Sequence, residues 1–208
     1  PTFDIAHPVN IEEAKASIVA SQARGLSPQQ IARKLFLVDS PAVFVSNGAL
    51  QYEILDKISQ KFQIPIRSIQ IVGSAQIGCS LHKGTLFDAK SSDIDFAIVD
   101  LGLFHKLAQT AFLAGDGLQS PANFPIDKES GKSTQPSYRS YVARGILRPE
   151  LMPNCPERAD WMNFFGMLSD NYSDYCNGMS GVIYASDLYL EWRLREVVDR
   201  FLGQSERP

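Results

Sequence analysis

The chain has 208 residues, 44% of them apolar, a net charge of −3 and three cysteines. That is enough for a sizeable core in one domain, and the charge excludes a chain-wide attraction to nucleic acid or anionic membrane, so a polyanion must meet a local patch. Cys79, Cys155 and Cys176 are too scattered for a disulfide framework or zinc knuckle. With no long apolar span and no basic-then-apolar leader, they suit a reducing cytoplasm, and Pro1 suggests a removed initiator methionine.

In chain order the first elements are helices. Asn10-Ile11-Glu12-Glu13 opens a run over 10–24 that Gly25 ends, and Ser27-Pro28 restarts a helix to about 37, as an N-cap followed by proline should. A third helix over 48–62 carries Leu50, Ile54, Leu55 and Ile58 at helical spacing behind a Ser46 or Asn47 cap. Gln63-Ile64-Pro65 breaks it. The expected organisation is an N-terminal helical region, 1–62, packing on a core with a C-terminal helical extension, 63–208, in one compact unit.

Residues 69–100, IQIVGSAQIGCSLHKGTLFDAKSSDIDFAIVD, carry the chemistry. A strand over 68–72 leads into Gly73-Ser74, and a loop holding His82 to Lys90 leads into a strand over 93–99. Alternation on that strand puts Asp93 and Asp95 on one face and Ile94, Phe96 and Ile98 on the other. Two carboxylates at the edge of so apolar a run repel each other and lose hydration, a cost that a divalent cation removes, and oxygen ligands favour Mg2+ or Mn2+ over zinc. Gly73 lets the backbone turn sharply, and the Ser74 hydroxyl and following amides supply donors for a phosphate.

Gly73, Ser74, Asp93 and Asp95 in this order resemble the signature of the nucleotidyltransferase superfamily typified by DNA polymerase beta: strand, Gly-Ser, short helix, then a strand bearing Asp-x-Asp. The segments RGILRPELMP (144–153) and GVIYASDLYLEWRLREVVDRF (181–201) look like downstream parts of bacterial nucleotidyltransferase-like proteins. The resemblance implies an α+β fold, a small mixed sheet flanked by helices. It also implies metal-dependent transfer of NMP from an NTP to a hydroxyl, with Asp93 and Asp95 as metal ligands and catalytic residues and Gly73 and Ser74 at the nucleotide. The acceptor is left open among nucleotide, nucleic acid, protein and small molecule. The family's third carboxylate, on a later strand facing the first two, has no clear match. Asp187 is the nominee, with a competing role at the start of the final helix. Its absence would favour the alternative, an impaired nucleotide-binding regulatory or antitoxin-like protein of the same fold.

Beyond the second strand, 101–114 reads as a helix with Leu103, Phe104, Leu107, Ala108 and Phe112 on one side, and Asp100 as a turn or cap. Residues 115–137 are rich in Gly, Pro, Ser and Asn and read as loop. Gly131-Lys132-Ser133-Thr134 is no P-loop, because position 126 is Ile and no strand precedes it. Lys128, Lys132, Arg139, Arg144 and Arg148, with Tyr138 and Tyr141 interleaved, form the one local basic run. It reads either as a solvated face or as a triphosphate clamp, with Lys132, Arg139 and Arg144 as the nominated contacts. A nucleic-acid-binding module built on this run is a further reading that the net charge disfavours. His82 is either a surface loop residue or a substrate contact. Trp161, Phe164 and Phe165 read as core, the strand near 181–184 as a candidate member of the same sheet, and 186–202 as the closing helix.

Overall fold

Side-chain caps at Ser27, Asn47 and Asp100 start three helices of the computed structural model, which describes residues 11–205; Pro1 and the expected helix start at Asn10 lie outside them. The first helix, α1 (Ile11–Ala23), ends before Gly25, which turns the chain at φ +86°. Ser27 and Gln30 form a reciprocal capping box on α2 (Pro28–Arg33), which a π turn extends to Val38. Asn47 caps α3 (Gly48–Phe62) by accepting from the Leu50 amide, which settles the choice between Ser46 and Asn47. Next come β1 (Ile69–Val72), a single turn α4 (Ser74–Ile77), and a small hairpin of β2 (Cys79–Ser80) and β3 (Thr85–Leu86). The aspartate strand is β4 (Asp93–Val99), and Asp100 caps α5 (Leu101–Ala114) through the Leu103 amide at 2.7 Å.

The stretch expected to be loop to 137 is not all loop. It contains a short 3-10 turn at Pro121–Asn123 and yields at Gln135 to α6 (Gln135–Val142). Two buried polar side chains order it: Thr134 Oγ1 donates to the Leu151 carbonyl and Gln135 Nε2 to that of Leu118. A buried side-chain donor with a backbone acceptor fixes a path that composition alone does not reveal. The remaining elements are β5 (Ile146–Leu147), α7 (Pro156–Asn171), β6 (Gly178–Tyr184) and α8 (Asp187–Ser205).

Four strands form one mixed sheet in the order β1-β4-β6-β5. β1 runs antiparallel to β4, β6 parallel to β4, and β5 antiparallel to β6. The architecture is therefore α+β, a small mixed sheet flanked by helices. β6 is longer than the sequence suggests because its first half is unconventional for a strand: Gly178, Met179, Ser180, Gly181. A Cβ on Gly181 would lie 2.6 Å from Phe165 Cζ and 2.9 Å from Trp161, so the missing side chain is what lets α7 press its rings onto the sheet.

Both faces of the sheet are covered, by different helices. One carries Ile69, Ile71, Ile94, Phe96, Ile98, Met179 and Ile183 into a core with α3, α5 and α7. The predicted core aromatics of α7 stack there on Phe62, whose ring centroid is 4.5 Å from that of Trp161. The other face presents Val72, Ala97, Val182 and Tyr184 to Leu190, Leu194 and Val198 of α8, with Ile31, Ala32 and Phe36 in the same cluster. Among the described residues no helix is long and apolar enough to cross a membrane.

Candidate functional site

On the α8 side the apolar cover stops short of one end of the sheet. The register sets Val72 beside Asp95 and Asp95 beside Ser180, a row across three strands. Gly73 follows Val72 with φ +70° and ψ −149°, a conformation available essentially to glycine. A Cβ there would stand 3.4 Å from Asp95 Oδ2. The turn thus brings Ser74, the first residue of α4, to the cleft that Asp95 lines.

Asp93 and Asp95 share a face as alternation requires, but their surroundings differ. Asp93 is exposed at the strand's start, where Asn177 Nδ2 donates to its Oδ1 at 3.0 Å. Asp95 is half-buried and accepts from Ser180 Oγ at 2.8 Å. Burial pushes the Asp95 carboxyl upward from its ordinary value; Asp93 adds to the shift, while the Ser180 hydrogen bond and the Arg148 charge oppose it.

The cleft is a cavity of 310 Å3 to which Gly73, Ser74, His82, Asp95 and Ser180 all contribute. Arg148, Tyr141 and Arg193 also line it, with Ser80 and Tyr184. Arg148 pairs with Glu150 at 2.6 Å and donates to the Tyr141 hydroxyl at 3.3 Å. Burial disfavours the Arg148 charge, yet Glu150 and Tyr141 outweigh it and its pKa lies above the ordinary value. The Arg148 hydrogen bond in turn lowers the pKa of Tyr141. Arg193 enters from α8, held by Glu196 at 2.9 Å. One carboxylate, Asp95, and two guanidiniums, Arg148 and Arg193, in one cleft suit a ligand that is itself anionic and bridged by a cation.

Not every nominated residue reaches this place. Asp93, Lys132 and Arg139 are exposed and do not line the cleft; Arg144 stands one ring away, stacked on Tyr141 at 4.8 Å. Asp187, the nominated third carboxylate, is the exposed first residue of α8 and does not line the cleft either. The strand position facing Asp95 holds Ser180 instead. Among the described residues no group of three or more His, Cys, Asp or Glu side chains converges as a metal site. Asp93 and Asp95 still fit one hard cation, because Mg2+ commonly takes one or two carboxylates and completes its shell with water and substrate phosphates. His82 of the β2-β3 hairpin is exposed and lines the cleft.

The sequence does not single out Ser180 and Arg193 as site residues, and it places Arg148 and Tyr141 in the basic run without nominating them as contacts. Ser180 is concealed by two glycines in a strand of low β-propensity, and Arg193 by its place in an ordinary amphipathic helix. Arg148 carried a signal, since it belongs to the basic run and directly follows the apolar pair Ile146-Leu147. No family model, curated protein or solved structure matches the chain.

Proposed function

We propose that the cleft binds a nucleoside triphosphate with Mg2+ or Mn2+ and transfers its NMP to a hydroxyl acceptor, releasing pyrophosphate. The observation that carries this reading is the convergence of Gly73, Ser74 and Asp95 at one cavity, with Asp93 two residues away on the same strand face. It agrees with the likeness of residues 69–100 to the nucleotidyltransferase superfamily. In the reaction the acceptor oxygen bonds to the α-phosphorus as the bond to the departing pyrophosphate breaks. A metal held at Asp93 and Asp95 supplies charge neutralisation on the phosphates. Gly73 leaves room beside Asp95, and Ser74 offers its hydroxyl to a phosphate oxygen. Arg148 and Arg193 face the same cavity and stabilise negative charge there, with Arg148 oriented by Tyr141 and Glu150.

One observation favours a second reading, a regulatory or antitoxin-like protein that binds nucleotide without turnover. Ser180 occupies the place facing Asp95 and offers a hydroxyl rather than a third carboxylate. The two readings separate in one experiment: NTP labelled at the α-phosphate is incubated with Mg2+ and an acceptor panel of the protein itself, lysate RNA and candidate proteins. A transferase gives labelled product and pyrophosphate, both lost in Asp95→Asn, and Ser180→Asp raises the rate by restoring the third acid. Binding of NTP with no product from the wild type or Ser180→Asp assigns the protein to the second reading.

A further inference from the structure

Beside the aspartate cleft lies a second cavity, of 350 Å3, and Ile146 and Arg193 line both. Its walls are mostly apolar: Leu188, Tyr189 and Trp192 from the first turns of α8, with Arg144 from the turn before β5 and Glu196 further along α8. Single exposed apolar side chains are ordinary, but here Leu188 is 63%, Tyr189 39% and Trp192 56% exposed within one concavity. The aromatic wall is built in. Gly145, at φ +68°, would place a Cβ 2.5 Å from Tyr189 Cγ and Cδ2, so the Tyr189 ring lies directly on the bare backbone. The Arg195 guanidinium sits 4.9 Å from the Trp192 ring and steadies the indole.

The charge is equally specific. Arg144 forms no ion pair among the described residues and lies over Tyr141, whose hydroxyl bonds Arg148 of the first cleft. Arg193 carries the other guanidinium, with Glu196 as its partner. An apolar, aromatic-walled cavity whose margin holds two guanidiniums against one carboxylate, Glu196, already paired with Arg193, fits a flat ring joined to an anion.

We propose that this second cavity binds a nucleoside monophosphate, its base against Trp192 and its phosphate between Arg144 and Arg193. The cavity has room for one nucleotide, and a chain of net charge −3 offers no extended basic track for a strand. That this nucleotide is the acceptor beside the NTP rests on the transferase reading; the binding itself does not.

Tryptophan fluorescence tests it, because Trp161 is only 3% exposed and quenching therefore reports Trp192. The full chain is titrated with AMP, GMP, CMP and UMP, with ribose 5-phosphate and adenosine as ring-free and phosphate-free probes, and binding is repeated by calorimetry. At least one monophosphate quenches saturably, and both incomplete probes bind more weakly. Trp192→Ala weakens calorimetric binding about tenfold, within the range of base stacking on an aromatic side chain. Arg144→Ala weakens the monophosphate but not adenosine. The Asp93→Asn, Asp95→Asn double variant binds the monophosphate as the wild type does, so failure of the transferase reading leaves this result intact. Four results overturn the proposal: no saturable binding, binding unchanged by Trp192→Ala, loss of binding in the double aspartate variant, or an oligonucleotide that binds more tightly than any monophosphate. Self-association that Trp192→Ala abolishes, without monophosphate binding, assigns the face to a second copy of the chain instead.

Discussion

The two faces of β4 and β6 are treated oppositely by the same backbone. Toward α7, Ile94, Phe96, Met179 and Ile183 are buried, and Gly181 gives up its side chain so that Phe165 and Trp161 can close on the sheet. Toward α8, the same strands carry Asp93, Asp95 and Ser180 at one end and become apolar only from Ala97 and Val182 onward. Glycine serves both faces for different ends: Gly181 closes a core, whereas Gly73 keeps a cleft open beside Asp95. A tightly packed face tolerates little change in volume, and a half-buried carboxylate face tolerates little change in charge.

The packed face breaks first. Gly181→Ala forces the Phe165 ring, 2.6 Å from the new Cβ, to move, and is expected to cost about 1–3 kcal/mol as overpacking does. In a chain of this size that lowers Tm by about 2–4 °C per kcal/mol. Gly166→Ala in α7 is the control, because nothing lies within 4 Å of its Cβ; it is expected to be neutral or to stabilise by roughly 0.5–1 kcal/mol, as alanine does in a helix interior. Equal losses in the two variants would mean that Phe165 does not pack on bare backbone.

A smaller effect of opposite sign is expected on the cleft face. The Asp95 carboxyl has a pKa raised by burial, so the folded state holds the proton more tightly than the unfolded one. Its contribution is therefore fully present below the unfolded value and is lost as pH rises through the folded one. Asp95→Asn, which stays neutral, should raise the metal-free Tm near pH 7. The gain should vanish at pH 3, and chemical melts across pH 3–8 measure it. A variant that loses stability at neutral pH would show that the Ser180 bond and Arg148 outweigh desolvation.

The closed and open faces also differ in how far the sequence reveals them. Local signals carry α2, α3 and α5, because Ser27, Asn47 and Asp100 cap them through their own near neighbours. Alternation carries β4, since Asp93 and Asp95 stand out against Ile94, Phe96 and Ile98. What escapes is set by distant partners. Ser180 is meaningful only because β6 lies parallel to β4 in a register that brings it to Asp95. Gly178 and Gly181 resemble loop residues until the Asp93 carboxylate and the Phe165 ring are in place beside them. α6 begins inside a polar stretch because Thr134 and Gln135 find buried carbonyls at Leu151 and Leu118. Asp187 illustrates the converse: an acid near the right strand in sequence stands at a helix start outside the cleft.

The central claim is that Asp93 and Asp95 hold a cation for a triphosphate at the Gly73-Ser74 turn. Thermal melts with Mg2+ and each NTP, added separately and together, test it most directly in the wild type and in the Asp93→Asn, Asp95→Asn double variant. A ligand confined to the folded state stabilises by about 2.7 kcal/mol at a hundredfold excess over its Kd. The account predicts that Mg2+ and NTP together raise the wild-type Tm, and that the double variant, folded and at least as stable without ligand, shows no Mg2+-dependent rise. The same rise in the double variant would contradict it, because metal and nucleotide would then be bound away from the two aspartates.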